Sequence, residues 1–199
     1  LKMIFSSRLK KLYKLEKVID NLKVKITAID IGASYFPHTK WGLLKRSKNT
    51  IWLAIDPNKK NLKYVEFWNY KSQIKLIDKA VGSKSEKRIL YTTNIDSGSS
   101  LLKIKIPFNS KHRVTLKGIF PIKEYQISTI GIENILGGLN INENALIIKL
   151  DTQGTEFEIV KSLFKTKFKK SLLAVELENN ILIEPIYQES SETSEILKF

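Results

Sequence analysis

Five short apolar runs in this chain each arrive at an acidic residue, and that repetition restricts the fold more than any other feature. The runs cover 25–31, 51–55, 74–77, 145–150 and 171–175. They close on Asp30-Ile31-Gly32, Asp56-Pro57, Asp78, Asp151 and Glu176. Runs this short and this rich in Ile, Leu and Val read as strands, and near-continuous apolarity is what strands covered on both faces require. Between them lie stretches with helical spacing: 59–70, and 155–164 with Phe157, Val160, Leu163 and Phe164 on one face. Strands alternating with helices predict an α/β fold whose central sheet is mostly parallel and flanked by helices. An additional edge strand is expected at 88–92, and Gly98-Ser99-Ser100 sits in a loop. The region between that loop and residue 145 is polar and yields no element.

Residues 5–22 carry Leu9, Leu12, Leu15, Val18, Ile19 and Leu22 at helical spacing, with Lys and Arg between them. The reading is a basic amphipathic helix over 1–23, followed by one α/β domain over 24–199. That helix is expected to pack on the domain; a weak contact with an anionic membrane surface is the second reading. The chain starts at Leu1 and stops at Phe199 in a polar stretch, so the domain is expected to be incomplete at its C-terminal end. Cys is absent, which excludes a disulfide framework and a thiolate metal site and suits a reducing cytoplasm. No metal site is read from the sequence. No apolar run approaches the roughly 20 residues that span a bilayer, and the opening segment lacks the apolar core of a secretion signal.

A net charge of +14 invites a nucleic-acid reading. The excess is almost all Lys, scattered from end to end, and a solvated Lys-rich surface is the preferred account.

In an open parallel sheet, ligands bind beyond the carboxyl ends of the strands, near the point where strand order reverses. Here those ends are acidic. A carboxylate closing the second strand can accept both hydroxyls of a ribose, but it would repel a pyrophosphate. The phosphate-cradling patterns GxGxxG and GxxxxGK[ST] are both missing. One glycine turn flanked by acids suits a cofactor with a ribose, an adenine and a positive charge but no phosphate, as in S-adenosylmethionine.

Five blocks in order strengthen that reading: AIDIGASYFPHTKW, IWLAIDPNKKNLKYVE, KAVGSKSEKRILYTTNIDSGSSL, LIIKLDTQGTEFEIVKSL and LLAVELENNILIEPIY. Together, from about Ile26 to Tyr187, they resemble the FkbM family of methyltransferases. The most specific element is Asp151-Thr152-Gln153-Gly154-Thr155-Glu156, which resembles the family's Asp-x-x-Gly-x-Glu; the turn Asp30-Ile31-Gly32-Ala33-Ser34 with Trp41 after it resembles one branch. The resemblance implies a Rossmann-like class I fold with S-adenosylmethionine as cofactor. It implies O-methylation of a sugar, glycan or other small-molecule hydroxyl.

Position by position, the resemblance puts Asp30, Gly32, Ala33 and Ser34 in the first loop, against the methionine end of the cofactor. It puts Asp56, followed by Pro57, on the ribose, and Asp78 or its neighbours Lys79 and Ala80 at the adenine. Asp151 would face the methyl-transfer site, with Gln153 and Glu156 opening the next helix. Asp151 is the first candidate base, and Glu176 and His38 stand behind it. Against these roles stand simpler ones: Asp56 as a turn residue, Asp151 as a helix cap, Glu156 as a complement to the helix N-terminus. Gly131 stands where the family usually has Asp, and the family's closing helix and β-hairpin are expected to be missing. The rival readings are an RNA methyltransferase using the basic surface and an inactive truncated copy. A nicotinamide-dependent oxidoreductase lacks its glycine fingerprint.

Overall fold

The computed structural model describes residues 17–18, 20–21, 24–34, 44–66, 72–105, 120–139, 145–178 and 187–188. Nearly all of the expected helix at 1–23 lies outside them. So do His38, Trp41, and the stretch 189–199 on which the expected C-terminal incompleteness bears. Two compact units divide the chain, each assembled from three stretches. The first is Leu1–Asp78, Ile141–Lys149 and Ser171–Val175; the second is Lys79–Asn140, Leu150–Lys170 and Glu176–Phe199.

The first unit is built on the sheet β3-β2-β1-β7-β8. Its strands are β1 (Ile26–Ile31), β2 (Thr50–Ile55), β3 (Gln73–Ile77), β7 (Ala145–Leu150) and β8 (Leu172–Leu177). β1 pairs with β2, and β2 with β3, in parallel; Asp30 lies beside Ala54, and Ile55 lies beside Ile31 and Ile77. The order runs outward from β1 to β3 and then reverses to β7 and β8, so the switch point falls between β1 and β7.

Position in the sheet explains the composition of each strand. All six residues of β1 are buried, and the interior strands β2 and β7 are nearly so, hence the predominance of Ile, Leu and Ala in them. The outer strands behave differently: β3 is only partly buried, and Leu173 of β8 is 67% exposed. Helix α1 (Lys59–Glu66) buries Asn61, Leu62 and Val65. Leu62 and Val65 join Ile26, Ala28, Trp52 and Ile147 in one apolar cluster. Asp20 accepts hydrogen bonds from Ser47 Oγ (2.7 Å) and the Lys48 N–H (3.0 Å), so the described end of the N-terminal segment docks on the turn before β2.

The second unit holds the sheet β4-β6-β5, with β4 (Ala80–Gly82), β5 (Lys87–Thr93) and β6 (Pro121–Gly131). β4 runs parallel to β6, and β5 antiparallel to it, so β5 is at the edge, as its sequence predicts. β6 passes directly into α2 (Ile132–Gly137), which lies against α3 (Glu156–Phe164).

β4, β6 and α2 are the elements the sequence does not reveal. β6 reads PIKEYQISTIG, and its first six residues are exposed, so no two-residue alternation of apolar side chains develops. The chain is pinned there by a polar hub instead. Thr129 Oγ1 accepts the Glu86 N–H (3.2 Å) and lies 3.0 Å from Lys84 O and 3.1 Å from Glu86 O, the acceptors open to its own proton.

One boundary needs correction. The sequence ends the last strand before Glu176, whereas β8 continues through Glu176 to Leu177 and Ser171 belongs to the preceding 3-10 turn. An edge strand tolerates an acid within it, because one of its sides is open to water.

Gly131, the departure from the family pattern, caps α2 with no side-chain bond, and its N–H donates to Ser85 Oγ at 2.9 Å. A Cβ at this position would lie 3.1 Å from Lys84 Cα, so the glycine permits the close passage of the 84–86 segment.

Candidate functional site

In the first unit the candidate residues gather at the carboxyl ends of β1 and β2. β1 ends in a turn closed by two bonds to one carbonyl: the Gly32 and Ala33 N–H groups donate to Ile55 O at 2.9 and 3.1 Å. Gly32 has φ 77°, a conformation in which a Cβ is strained, so this turn needs glycine. The chain then folds back, with the Ser34 N–H donating to Gly32 O at 2.9 Å. Ser34 Oγ is buried and has no hydrogen-bond partner among the described residues. A buried hydroxyl without a partner is costly, and a bound polar group would relieve that cost.

Beside this turn, Asp56 extends the β2–β3 ladder by one bond, its N–H donating to Ile77 O. The residue is 7% exposed. Oδ1 accepts the Asn58 N–H at 2.7 Å, and Asn61 Nδ2 lies 3.4 Å away. Asn58 in turn caps α1, its Oδ1 accepting the Lys60 N–H at 3.0 Å. Asp56 is therefore a turn residue, as its simpler reading held, and the turn fixes where its buried carboxylate sits. Asn61 Oδ1 is a second buried acceptor without a partner among the described residues.

Asp30 is not an open charge. Lys149 Nζ lies 3.2 Å from its Oδ1, with the two side chains 12% and 4% exposed, across the switch point between β7 and β1. A Lys inside the apolar run 145–150 was the available sign of this pair, since a charge in a buried strand needs a partner. Asp78, which the resemblance puts with its neighbours Lys79 and Ala80 at the adenine, follows β3 with its side chain half-exposed, 3.1 Å from Lys59 Nζ.

The other candidates belong to the second unit. Ala80 is buried in β4 opposite Thr129, and Glu176 lies within β8. Asp151 and Gln153 fall in the turn between β7 and α3. In that turn Gln153 has φ 59° and Gly154 φ 113°, two successive left-handed residues, one of them not glycine. Glu156 holds the turn by accepting the Thr152 N–H at 2.6 Å and the Gly154 N–H at 2.9 Å. Burial pushes its carboxyl above the ordinary glutamate value, against the opposing pull of those backbone bonds.

Gln153 is held at three points. Its carbonyl accepts Ser100 Oγ (2.7 Å), its Nε2 donates to Asp151 Oδ1 (2.8 Å), and its Oε1 lies 3.1 Å from Tyr187 Oη. The Tyr187 hydroxyl also lies 3.0 Å from Gly98 O, so its single proton is shared between two acceptors. Tyr187 is 2% exposed. Burial first, then the negative charges of Glu156, Glu178 and Asp151, push its phenol well above the usual tyrosine value, so it stays a donor. The result is a chain of donors from Tyr187 through the Gln153 amide to Asp151.

Lys149 and Tyr187 are the residues that sequence reasoning missed. Tyr187 closes the last resemblance block, but nothing in the sequence couples it to a turn 34 positions away. Among the described residues no group of three or more His, Cys, Asp or Glu could hold a metal ion, and no helix is long and apolar enough to cross a membrane. Comparison of the chain with protein-family models, with curated proteins and with solved structures finds no match.

Proposed function

We propose that the chain is an S-adenosylmethionine-dependent methyltransferase acting on a hydroxyl of a sugar, glycan or other small molecule. The observation that carries this reading is the carboxyl edge of β1 and β2. There a buried, turn-held Asp56 accompanies a glycine turn whose Ser34 hydroxyl has no partner among the described residues. Asp56 would accept the ribose hydroxyls, and Ser34 Oγ and Asn61 Oδ1 would supply further polar contacts. Gly32 keeps the turn free of a side chain. The pairing of Asp30 with Lys149 removes a net charge from this edge, so Asp56 is the acid that selects for ribose here.

When bound, the cofactor supplies a methyl group on a positively charged sulfur, ready for in-line attack. The chain's own task is then to orient the acceptor, exclude water and take up the hydroxyl proton. Asp151 is the base to be tested first, because the Gln153 amide fixes its Oδ1. Fold alone does not select an acceptor, so the acceptor class rests on the resemblance.

Calorimetric titration of the full chain with S-adenosylmethionine tests the reading. Micromolar binding that Asp56→Ala abolishes is the expected result. A well-folded chain that binds neither S-adenosylmethionine nor S-adenosylhomocysteine would sink it.

A further inference from the structure

The stretch 161–170 reads KSLFKTKFKK and holds five lysines: Lys161, Lys165, Lys167, Lys169 and Lys170. No acidic residue occurs between Glu158 and Glu176. All five lysines are exposed, and none forms an ion pair among the described residues. The backbone brings them together. Lys161, Phe164 and Lys165 share one face at the end of α3 by their spacing of three and four. The chain then continues into the 3-10 turn Lys167–Ser171, in which Lys167 and Lys170 are three apart and eclipsed. Cations complement the dipole at the end of a helix, but that effect fades within the last turn, and the lysines of 167–170 lie beyond it. Five like charges this close repel one another, and no carboxylate among the described residues offsets them.

The aromatic rings decide between partners. Phe157 and Phe168 are buried, and the ammonium groups of Lys161 and Lys167 lie over them at 4.1 and 5.3 Å. Those two rings are buried with lysine over them, so the patch offers a single exposed ring, Phe164, and not the succession of aromatic platforms along which nucleic-acid bases stack. Phe164, 40% exposed, stands among the lysines as an apolar side chain able to enter a headgroup layer. We propose that the lysine patch of 161–170, with Phe164 at its centre, docks on an anionic phospholipid bilayer. The excess charge of the whole chain, +14, draws it toward such a surface, while the patch sets which face meets it. This proposal is independent of the methyltransferase reading.

The test is co-sedimentation of the full chain with phosphatidylserine/phosphatidylcholine vesicles and with phosphatidylcholine alone, at low and high salt. Binding is expected only to the anionic vesicles and is lost at high salt. The quadruple variant K165Q/K167Q/K169Q/K170Q should lose on the order of 100-fold in partitioning, whereas K165R/K167R/K169R/K170R should retain it. A control of equal charge change, K10Q/K11Q/K14Q/K17Q, separates the patch from the basic N-terminal segment. The proposal is overturned if the control loses as much as the patch variant, or if the patch variant, still folded by circular dichroism, binds like the parent. Equal binding to neutral vesicles, or tighter binding to a single-stranded RNA 20-mer than to anionic vesicles, also overturns it.

Discussion

The edge at Asp56 and the turn at Asp151 both present an acid after a buried strand, yet their side chains are held differently. The Asp56 carboxylate is gripped by its own segment, by residues two and five positions on. The Asp151 turn has a local clamp in Glu156 and is also tied from afar: Ser100 reaches Gln153 across 53 positions and Tyr187 reaches it across 34. A local device survives loss of its surroundings, whereas a distant one fails when any contributor is removed. The first unit also uses a distant side-chain pair, Asp30–Lys149, 119 positions apart.

That pair gives the largest expected effect. Lys149→Met removes the cation beside the buried Asp30 carboxylate, and should cost about 3–5 kcal/mol in urea unfolding. Adding Asp30→Asn should recover most of the loss. If the single variant unfolds like the parent, the distant side-chain pair adds nothing to the first unit and the contrast with the Asp151 turn sharpens.

Glu156→Gln removes an oxygen that accepts a backbone N–H, and should cost about 1–3 kcal/mol. Its pH dependence carries a sign. Burial raises the folded carboxyl above its unfolded value, so the native state holds the proton more tightly. The stabilisation from Glu156 is full below the unfolded value and fades as pH rises through the folded one. Unfolding curves for parent and variant should therefore converge from pH 4 toward pH 7, and divergence would refute the stated shift.

Tyr187→Phe deletes one shared proton and should cost about 1–2 kcal/mol. The side-chain amide signals of Gln153, assigned by their loss in Gln153→Ala, should move in the nitrogen–proton spectrum of Tyr187→Phe. Signals that stay in place would mean the proton belongs to Gly98 O alone.

The smallest effect is expected at the surface. Lys59→Ala breaks the exposed pair with Asp78 and should change stability by less than about 0.5 kcal/mol, the change vanishing in high salt. Breaking the same chemical pair should thus cost several-fold less at β3 than at the switch point.

The contrast also marks how far the sequence could be read. β1, β2, β7 and α3 announce themselves because a strand or helix facing a core must repeat its apolar residues at a fixed period. The Asx turn at Asp56-Pro57 is legible for the same reason: every contributor lies within a few residues. β6 is not, since exposure of its first half removes the pressure for apolar alternation. Lys149 was visible as a charge in an apolar run without its partner, and Tyr187 as the end of the last block without a role. What joins them to their sites is distance in sequence closed by folding, and no local pattern encodes that.

The assembly of each unit from three stretches also has a consequence during synthesis. β1, β2 and β3 leave the ribosome together, but β7, which covers the other side of β1, follows only after all of Lys79–Asn140. For that interval β1, whose six residues are all buried in the finished fold, has one backbone edge unpaired. An exposed apolar edge is a template for pairing with other chains. Expression yield should therefore respond to synthesis rate and to chaperones more than the stability of the finished fold would suggest.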